Sequence, residues 1–394
     1  MKRLLAAALT ALLLLSLSAC GTSAGEEADA PAEPPAEETP APEPETPPDT
    51  QPDPPEDPVE TLLTSMTLEE KVGQLFFVRC PADSAVEDVS AYHLGGYILF
   101  GRDTQDKTAN DLIQTIRSYQ DAAAIPMLIG VDEEGGTVVR VSSNPHLRSS
   151  KFQSPQKLYA KGGMDAVIAD AHEKDVLLRA LGINVNLSPV ADVSTSSGDF
   201  INARAFGQGA AATADYTAAV TAQMTADGMG SVLKHFPGYG NNVDTHTGIA
   251  VDQRPMETFE ASDFLPFESG IAAGGGLTAV LVSHNIMTCV DDTLPASLSP
   301  AVHEILRDKL GFDGVVMTDD LAMDAVAAYA QDGAAAVMSL EAGNDLVLTT
   351  DYRTQIPKVI EAVESGTLDK AVIDTACRRV LTWKIALGLI KESA

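Results

Sequence analysis

Short apolar runs alternate with alanine-rich stretches of helical period along most of this chain, and that alternation dictates repeated β-α units around a parallel sheet. The strand-like runs are 73–78, 96–100, 127–131, 185–190, 230–234, 279–284, 314–318 and 345–348. Helical patterns occupy 109–122, 164–181, 211–227, 300–310, 332–341, 352–364 and 369–389, and Gly182, Gly311 and Gly343 stand where a left-handed residue ends a helix. Eight such strands fit a closed barrel. Polar residues gather just past the ends of these runs: Asp132-Glu133-Glu134 after Val131, Lys234-His235 after Leu233, Ser283-His284-Asn285 after Val282, and Asp319-Asp320 after Thr318. A doubly wound sheet concentrates its ligand groups near one switch point, whereas a barrel carries them around one axial mouth. The expected fold is therefore α/β: a single (β/α)8 TIM-type barrel preceded by a disordered, acidic, proline-rich linker.

The linker explains much of the formal charge of −30. Between Gly21 and Pro58 there is no Lys, Arg, aromatic residue or aliphatic side chain larger than Ala, so the stretch cannot bury a core and acts as a semi-stiff tether. Ahead of it, Met1-Lys2-Arg3 and the apolar run from Leu4 to Leu17 read as a secretory signal peptide, too short to span a bilayer. Leu17-Ser18-Ala19-Cys20 resembles a bacterial lipobox, which implies lipidation at Cys20 and an extracytoplasmic, membrane-anchored protein. The domain boundaries are then 1–20, 21–58 and 59–394. Nothing basic and clustered points to nucleic acid. Cys80, Cys289 and Cys377 are scattered and odd in number, so three free, mostly buried thiols are expected. No metal-ligand spacing, phosphate loop or dinucleotide fingerprint is present, so no metal or other cofactor is expected.

Two places carry the chemistry. Asp244 and His246, two residues apart in a Gly/Asn-rich loop, allow a carboxylate to fix an imidazole tautomer; an Asn/Asp-rich surface loop with an incidental histidine fits the spacing equally well. At 319–320, strand alternation sends one carboxylate into the mouth and its neighbour elsewhere, and Asp320 also suits a cap on the following helix. His284 is either a pocket residue or a satisfied core histidine.

The chain is identified from these residues as resembling glycoside hydrolase family 3, and more narrowly its bacterial β-N-acetylhexosaminidases of peptidoglycan turnover. The resemblance rests on DEEGGTVVR at 132–140, INARAFG at 201–207, KHFPGYG with DTH at 234–246, and TDDLAM at 318–323. It implies retaining hydrolysis of terminal β-N-acetylglucosaminides, with Asp319 as nucleophile, His246 as general acid/base and Asp244 as its partner. It also implies that Asp132, Arg140, Arg204, Lys234 and His235 bind the sugar. Structural alternatives accompany these roles: Arg140 and Arg204 pairing with carboxylates at the mouth, and Lys234 neutralising Asp319. The sequence departs from the family pattern in having Tyr239 where His is common, and Glu133 and Thr137 where Gln and Arg are common.

Family 3 β-glucosidases generally take their proton donor from a glutamate in a second domain, and the sequence after the barrel region continues only into a helix, so the donor is expected on the barrel loops. Competing expectations are a β-glucosidase-type specificity, a non-catalytic glycan-binding lipoprotein, and phosphate in place of water as glycosyl acceptor. The expected partners are an N-acetylglucosamine-containing glycan and, through Cys20, a membrane; the sequence is silent on oligomeric state.

Overall fold

Eight parallel strands wrap into a barrel in the computed structural model, which describes residues 57–243, 248–330 and 334–391. The signal peptide, Cys20 and the tether up to residue 56 lie outside the described residues. In chain order the strands are β1 (Phe76–Arg79), β2 (Gly96–Leu99), β3 (Leu128–Val131), β4 (Val185–Asn186), β5 (Gly230–Phe236), β6 (Val251–Asp252), β7 (Thr278–Val282), β8 (Ile286–Met287), β9 (Val316–Thr318) and β10 (Val347–Thr349). The large sheet runs β10-β1-β2-β3-β4-β5-β7-β9, and a parallel bridge between Met317 and Leu346 joins its two ends. β6 and β8 form a separate parallel pair beside the mouth.

All eight barrel strands fall on the expected runs. The first is shifted: Gly73 and Gln74 end the helix Leu68–Gln74, whose capping box sets Thr67 Oγ1 to accept from Glu70 N–H and Glu70 to accept from Thr67 N–H. The first helix, Pro58–Ser65, has Asp57 as its N-cap and begins one residue before the expected start of the domain. A helix over Phe264–Ala273 was not anticipated; its residues are mostly apolar, and it packs beside the helix Ala210–Asp227 and against β5. The expected helix 300–310 is α over Pro300–Glu304 and π over Ile305–Lys309. Gly182, Gly311 and Gly343 all have positive φ, of 90°, 64° and 112°.

Two strand glycines shape the barrel interior. A Cβ at Gly130 would meet Phe77 Cζ at 2.3 Å, and one at Gly96 would meet Phe77 Cδ2 at 2.8 Å. The Phe77 ring therefore fills the space these glycines leave, and with Ile98, Leu187, Leu281 and Leu348 it forms an apolar floor beneath the mouth. Of the three thiols, Cys80 and Cys377 are buried and Cys289 is exposed.

The last helix, Lys370–Ala386, seals the other end of the barrel and buries Lys384 completely, with its Nζ donating to Gln74 Oε1 at 2.6 Å. Burial pushes this ammonium down to about 7. The unfolded chain binds the proton up to about pH 10, so between those values the unfolded state holds more protons and stability rises with pH. Lys384→Met is expected to stabilise the protein by roughly 1–3 kcal/mol at pH 6, a gain that shrinks as pH rises towards about 10. Urea unfolding at pH 6, 8 and 10 measures this; a pH-independent difference would show that the lysine is not carrying a burial penalty.

Candidate active site

The DEEGG segment leaves β3 in extended form, and alternation sorts its three carboxylates. Glu133 points away from the mouth, fully buried, and accepts the backbone N–H groups of Arg140 and Val141 at 2.7 Å each and of Ser142 at 3.2 Å. It folds the returning segment back over the strand end. Gly135 and Gly136 make that reversal with φ of 99° and 69°, and a Cβ at Gly135 would meet Gln153 O at 2.2 Å. Asp132 and Glu134 point the other way. Both meet Lys234 at the end of β5: Nζ lies 2.6 Å from Asp132 Oδ1 and 2.7 Å from Glu134 Oε1.

Arg204 follows the 3-10 turn Phe200–Ala203 and grips Glu134 with two bonds, Nε to Oε2 at 3.0 Å and a terminal nitrogen to Oε1 at 2.8 Å. Burial opposes ionisation of Glu134, but Lys234 and Arg204 together hold its carboxyl well below the usual range. For Lys234, burial opposes the charge and Asp132 and Glu134 overcome it, raising its pKa. Arg204 also donates to His235 Nε2 at 3.1 Å, which leaves the imidazole proton on Nδ1, donated to Asp192 Oδ2 at 2.8 Å. Asp192 is buried and accepts in addition from the backbone N–H of His235 and Tyr239. Arg140 reaches Asp132 Oδ2 at 3.9 Å.

Asp319 follows β9, its N–H donating to Val282 O at 3.0 Å, and its Oδ1 accepts from Asp320 N–H at 2.9 Å. Asp320 accepts from Ala322 N–H and Thr350 Oγ1, so it caps a turn rather than the start of the helix Asp324–Ala327. His284 is fully buried, bonded through Nδ1 to Ser297 Oγ at 2.7 Å and through Nε2 to the Asp320 carbonyl at 3.1 Å. It supports the Asp320 backbone as a satisfied interior histidine.

Asp132, Arg140, Arg204, Lys234, His235 and Asp319 all line one cavity of ≈ 340 Å³ at the C-terminal ends of the strands. A separate cavity of ≈ 260 Å³, bordered by Leu62, Gln74, Leu94 and Ile125 at the strands' N-terminal ends, holds none of these residues. Asp244 and His246 lie outside the described residues. The chain on either side of them is anchored: Asn242 Nδ2 donates to Asp252 Oδ2 at 2.6 Å, and Arg254 bridges Asp252 and Asp263. Tyr239 is buried with its ring edge-on to His235, centroids 5.1 Å apart, and Thr137 is exposed, so neither of these departures nor Glu133 lines the cavity.

Arg204 thus pairs with a carboxylate and lines the cavity at once, and the groups that neutralise Lys234 at contact distance are Asp132 and Glu134. Glu134 and Asp192 were given no role from the sequence because they act through residues that line the cavity, Lys234 and Arg204 for Glu134 and His235 for Asp192; their one signal is the same strand-end position that marked Asp132 and Lys234.

A sequence profile of the Glycosyl hydrolase family 3 N terminal domain matches residues 67–383. A beta-hexosaminidase of Stenotrophomonas maltophilia (strain R551-3) is 35% identical over 286 residues, covering 71% of this chain and 83% of that relative. Among solved structures, a glycoside hydrolase family 3 beta-N-acetylglucosaminidase from Paenibacillus sp. str. FPU-7 superposes with TM-score 0.77 at 31% identity, covering 84% of this chain and 64% of its own. A beta-N-acetylhexosaminidase from Beutenbergia cavernae DSM 12333 superposes with TM-score 0.71 at 30% identity, over 82% of this chain and 99% of its own.

Proposed function

Since the chain belongs to glycoside hydrolase family 3, we propose that it hydrolyses terminal β-N-acetylglucosaminide bonds with retention, through a covalent intermediate on Asp319. The observation that carries this reading is the convergence of Asp319 with Asp132, Arg140, Arg204, Lys234 and His235 on one cavity at the barrel mouth. Hydroxyl-rich ligands suit such a lining. Asp132 accepts from sugar hydroxyls, while Arg140, Arg204 and Lys234 donate to hydroxyl or amide oxygens, and the apolar floor takes the less polar face of the ring.

In the first step the Asp319 carboxylate attacks the anomeric carbon as the bond to the leaving oxygen breaks, and His246 gives that oxygen its proton. In the second, His246 takes a proton from water, the resulting hydroxide attacks the glycosyl ester, and Asp319 leaves as carboxylate. Asp244 orients the imidazole throughout. The similarity to proteins named beta-hexosaminidase and beta-N-acetylglucosaminidase supports the sugar. The leader and the lipobox-like Cys20 support an extracytoplasmic, lipid-anchored enzyme acting on cell-wall glycan.

Parallel assays of 4-nitrophenyl N-acetyl-β-D-glucosaminide and 4-nitrophenyl β-D-glucoside test the reading. The acetamide should be favoured by about 10²-fold or more in kcat/KM, with the β-anomer as first product. Equal turnover of the glucoside would move the protein to the β-glucosidase class. Binding of N-acetylglucosamine without turnover of either would mark a silent binder.

A further inference from the structure

One guanidinium ties together three pieces of chain: the loop after β5, the end of β6 and the π-helical turn Phe259–Asp263. Arg254 Nε lies 3.0 Å from each oxygen of Asp252, and its Nη2 lies 2.7 Å from Asp252 Oδ2. Nη1 donates to both oxygens of Asp263, at 3.0 and 2.9 Å, and Nη2 also donates to the Gly238 carbonyl at 3.3 Å. The planar group stacks over Phe259, with Cζ 4.3 Å from the ring centroid. Asp252 and Asp263 are buried, and among the described residues Arg254 is the cation that pairs with both. None of these three side chains lines the catalytic cavity.

The loop after β5 lies directly on this cluster. Gly238 has φ of 117°, and a Cβ there would meet Asp263 Oδ1 at 2.4 Å; Gly240 has φ of 54°, and its Cβ would meet Arg254 Cζ at 2.5 Å. Two residues further on, Asn242 Nδ2 donates to Asp252 Oδ2 at 2.6 Å and to the Tyr239 carbonyl at 3.0 Å. The returning chain is fixed by the pairing of β6 with β8: the Ala250 carbonyl accepts from Ile286 N–H at 2.8 Å, and the Asp252 carbonyl accepts from Thr288 N–H at 3.0 Å. The chain is thus held at 242 and again at 250, and His246 stands in the middle of the 243–249 stretch between them. So short a stretch, with both ends tied to one carboxylate–guanidinium cluster, has few ways to place what it carries.

We propose that Arg254 is a positioning residue for the proton donor: through Asp252 and Gly238 it holds both ends of the 243–249 stretch and so sets where the His246 imidazole stands. The inference rests on the hydrolase reading above, in which His246 is the acid/base. Arg254 touches no substrate and moves no proton. Its effect is one of geometry, and a displacement of about 1 Å in a reacting group costs on the order of 10²-fold in rate. A lysine at 254 keeps the charge, but a single ammonium lacks the fork that spans Asp252, Asp263 and the Gly238 carbonyl at once.

Arg254→Lys tests this, with Asn242→Ala as a second variant that leaves the ion pairs intact and cuts the tie from the loop to Asp252. Each is assayed for kcat/KM on phenyl and 2,4-dinitrophenyl N-acetyl-β-D-glucosaminides, beside wild type and His246→Ala. Arg254→Lys should lose about 10-fold or more on the phenyl glycoside and no more than about twofold on the dinitrophenyl one, whose departure needs no proton. Added to His246→Ala, it should cost less than about twofold further on the phenyl glycoside, because the two residues act as a unit. A residue that only supports the fold would lower both substrates alike and add its loss to that of His246→Ala. Equal losses on the two glycosides, an additive loss in the double variant, or wild-type behaviour in both Arg254→Lys and Asn242→Ala overturns the inference. If the wild type cleaves neither glycoside, the hydrolase reading fails and this one with it; if it cleaves both and His246→Ala shows no leaving-group dependence, the donor assignment fails and takes the role of Arg254 with it.

Discussion

Asp319→Ala is expected to lower kcat/KM for an N-acetyl-β-D-glucosaminide by on the order of 10⁴-fold or more, the scale on which loss of a covalent nucleophile is felt. The fold should tolerate the change. The side chain's bond to Asp320 N–H is worth about 1 kcal/mol, and the backbone link from Asp319 N–H to Val282 persists in the variant. Unfolding by urea therefore separates a chemical loss from a structural one. His246→Ala gives the contrasting pattern. With a poor leaving group, loss of the proton donor should cost about 10²–10⁴-fold, whereas a 2,4-dinitrophenyl leaving group needs no proton and its departure should be nearly unimpaired. Two results would remove Asp319 and His246 from their roles: an Asp319→Ala enzyme within tenfold of wild type, or a His246→Ala enzyme equally impaired with both leaving groups.

The barrel was legible because its signal is redundant. Eight β-branched or apolar runs, each followed by polar residues, describe a parallel sheet buried on both faces with one reactive end. What escaped has physical causes. Phe264–Ala273 is apolar on most of its surface, so no periodic stripe separates it from a loop or strand. The 185–190 run pairs as a strand only at Val185–Asn186 and meets β5 again through a bridge from Val190 to Lys234, after which Asp192 reaches His235. In the site, Asp132 and Lys234 were readable from their place at strand ends, but their pairing was not. A sequence lists Asp132, Glu133 and Glu134 side by side; only the pleat shows that the outer two share Lys234 while the middle one ties down the 140–142 backbone.

That shared lysine is where the site's binding and stability meet, and Lys234→Met should reveal both. Methionine fills nearly the same volume without the charge. Glu134 keeps its two bonds from Arg204, but Asp132 is left with Arg140 at 3.9 Å. Breaking a buried ion pair from one side costs about 3–5 kcal/mol, and the lower end applies here because the cavity lets water reach Asp132, whose side chain is 16% exposed. The sign with pH follows from Glu134. Its folded-state pKa is depressed, so its contribution to stability is present above the ordinary carboxylate range and lost as pH falls. The variant gains less from that ionisation. The gap between wild type and variant should therefore be full near neutrality and close only as pH falls below the ordinary carboxylate range, towards the depressed value at which Glu134 of the wild type takes up its proton. Urea unfolding at pH 7, 4 and 2.5 measures it, and the KM of the folded variant should rise as Asp132 loses the cation that fixes it. A gap that stays constant across this range would mean that Lys234 is held by packing rather than by its two carboxylates.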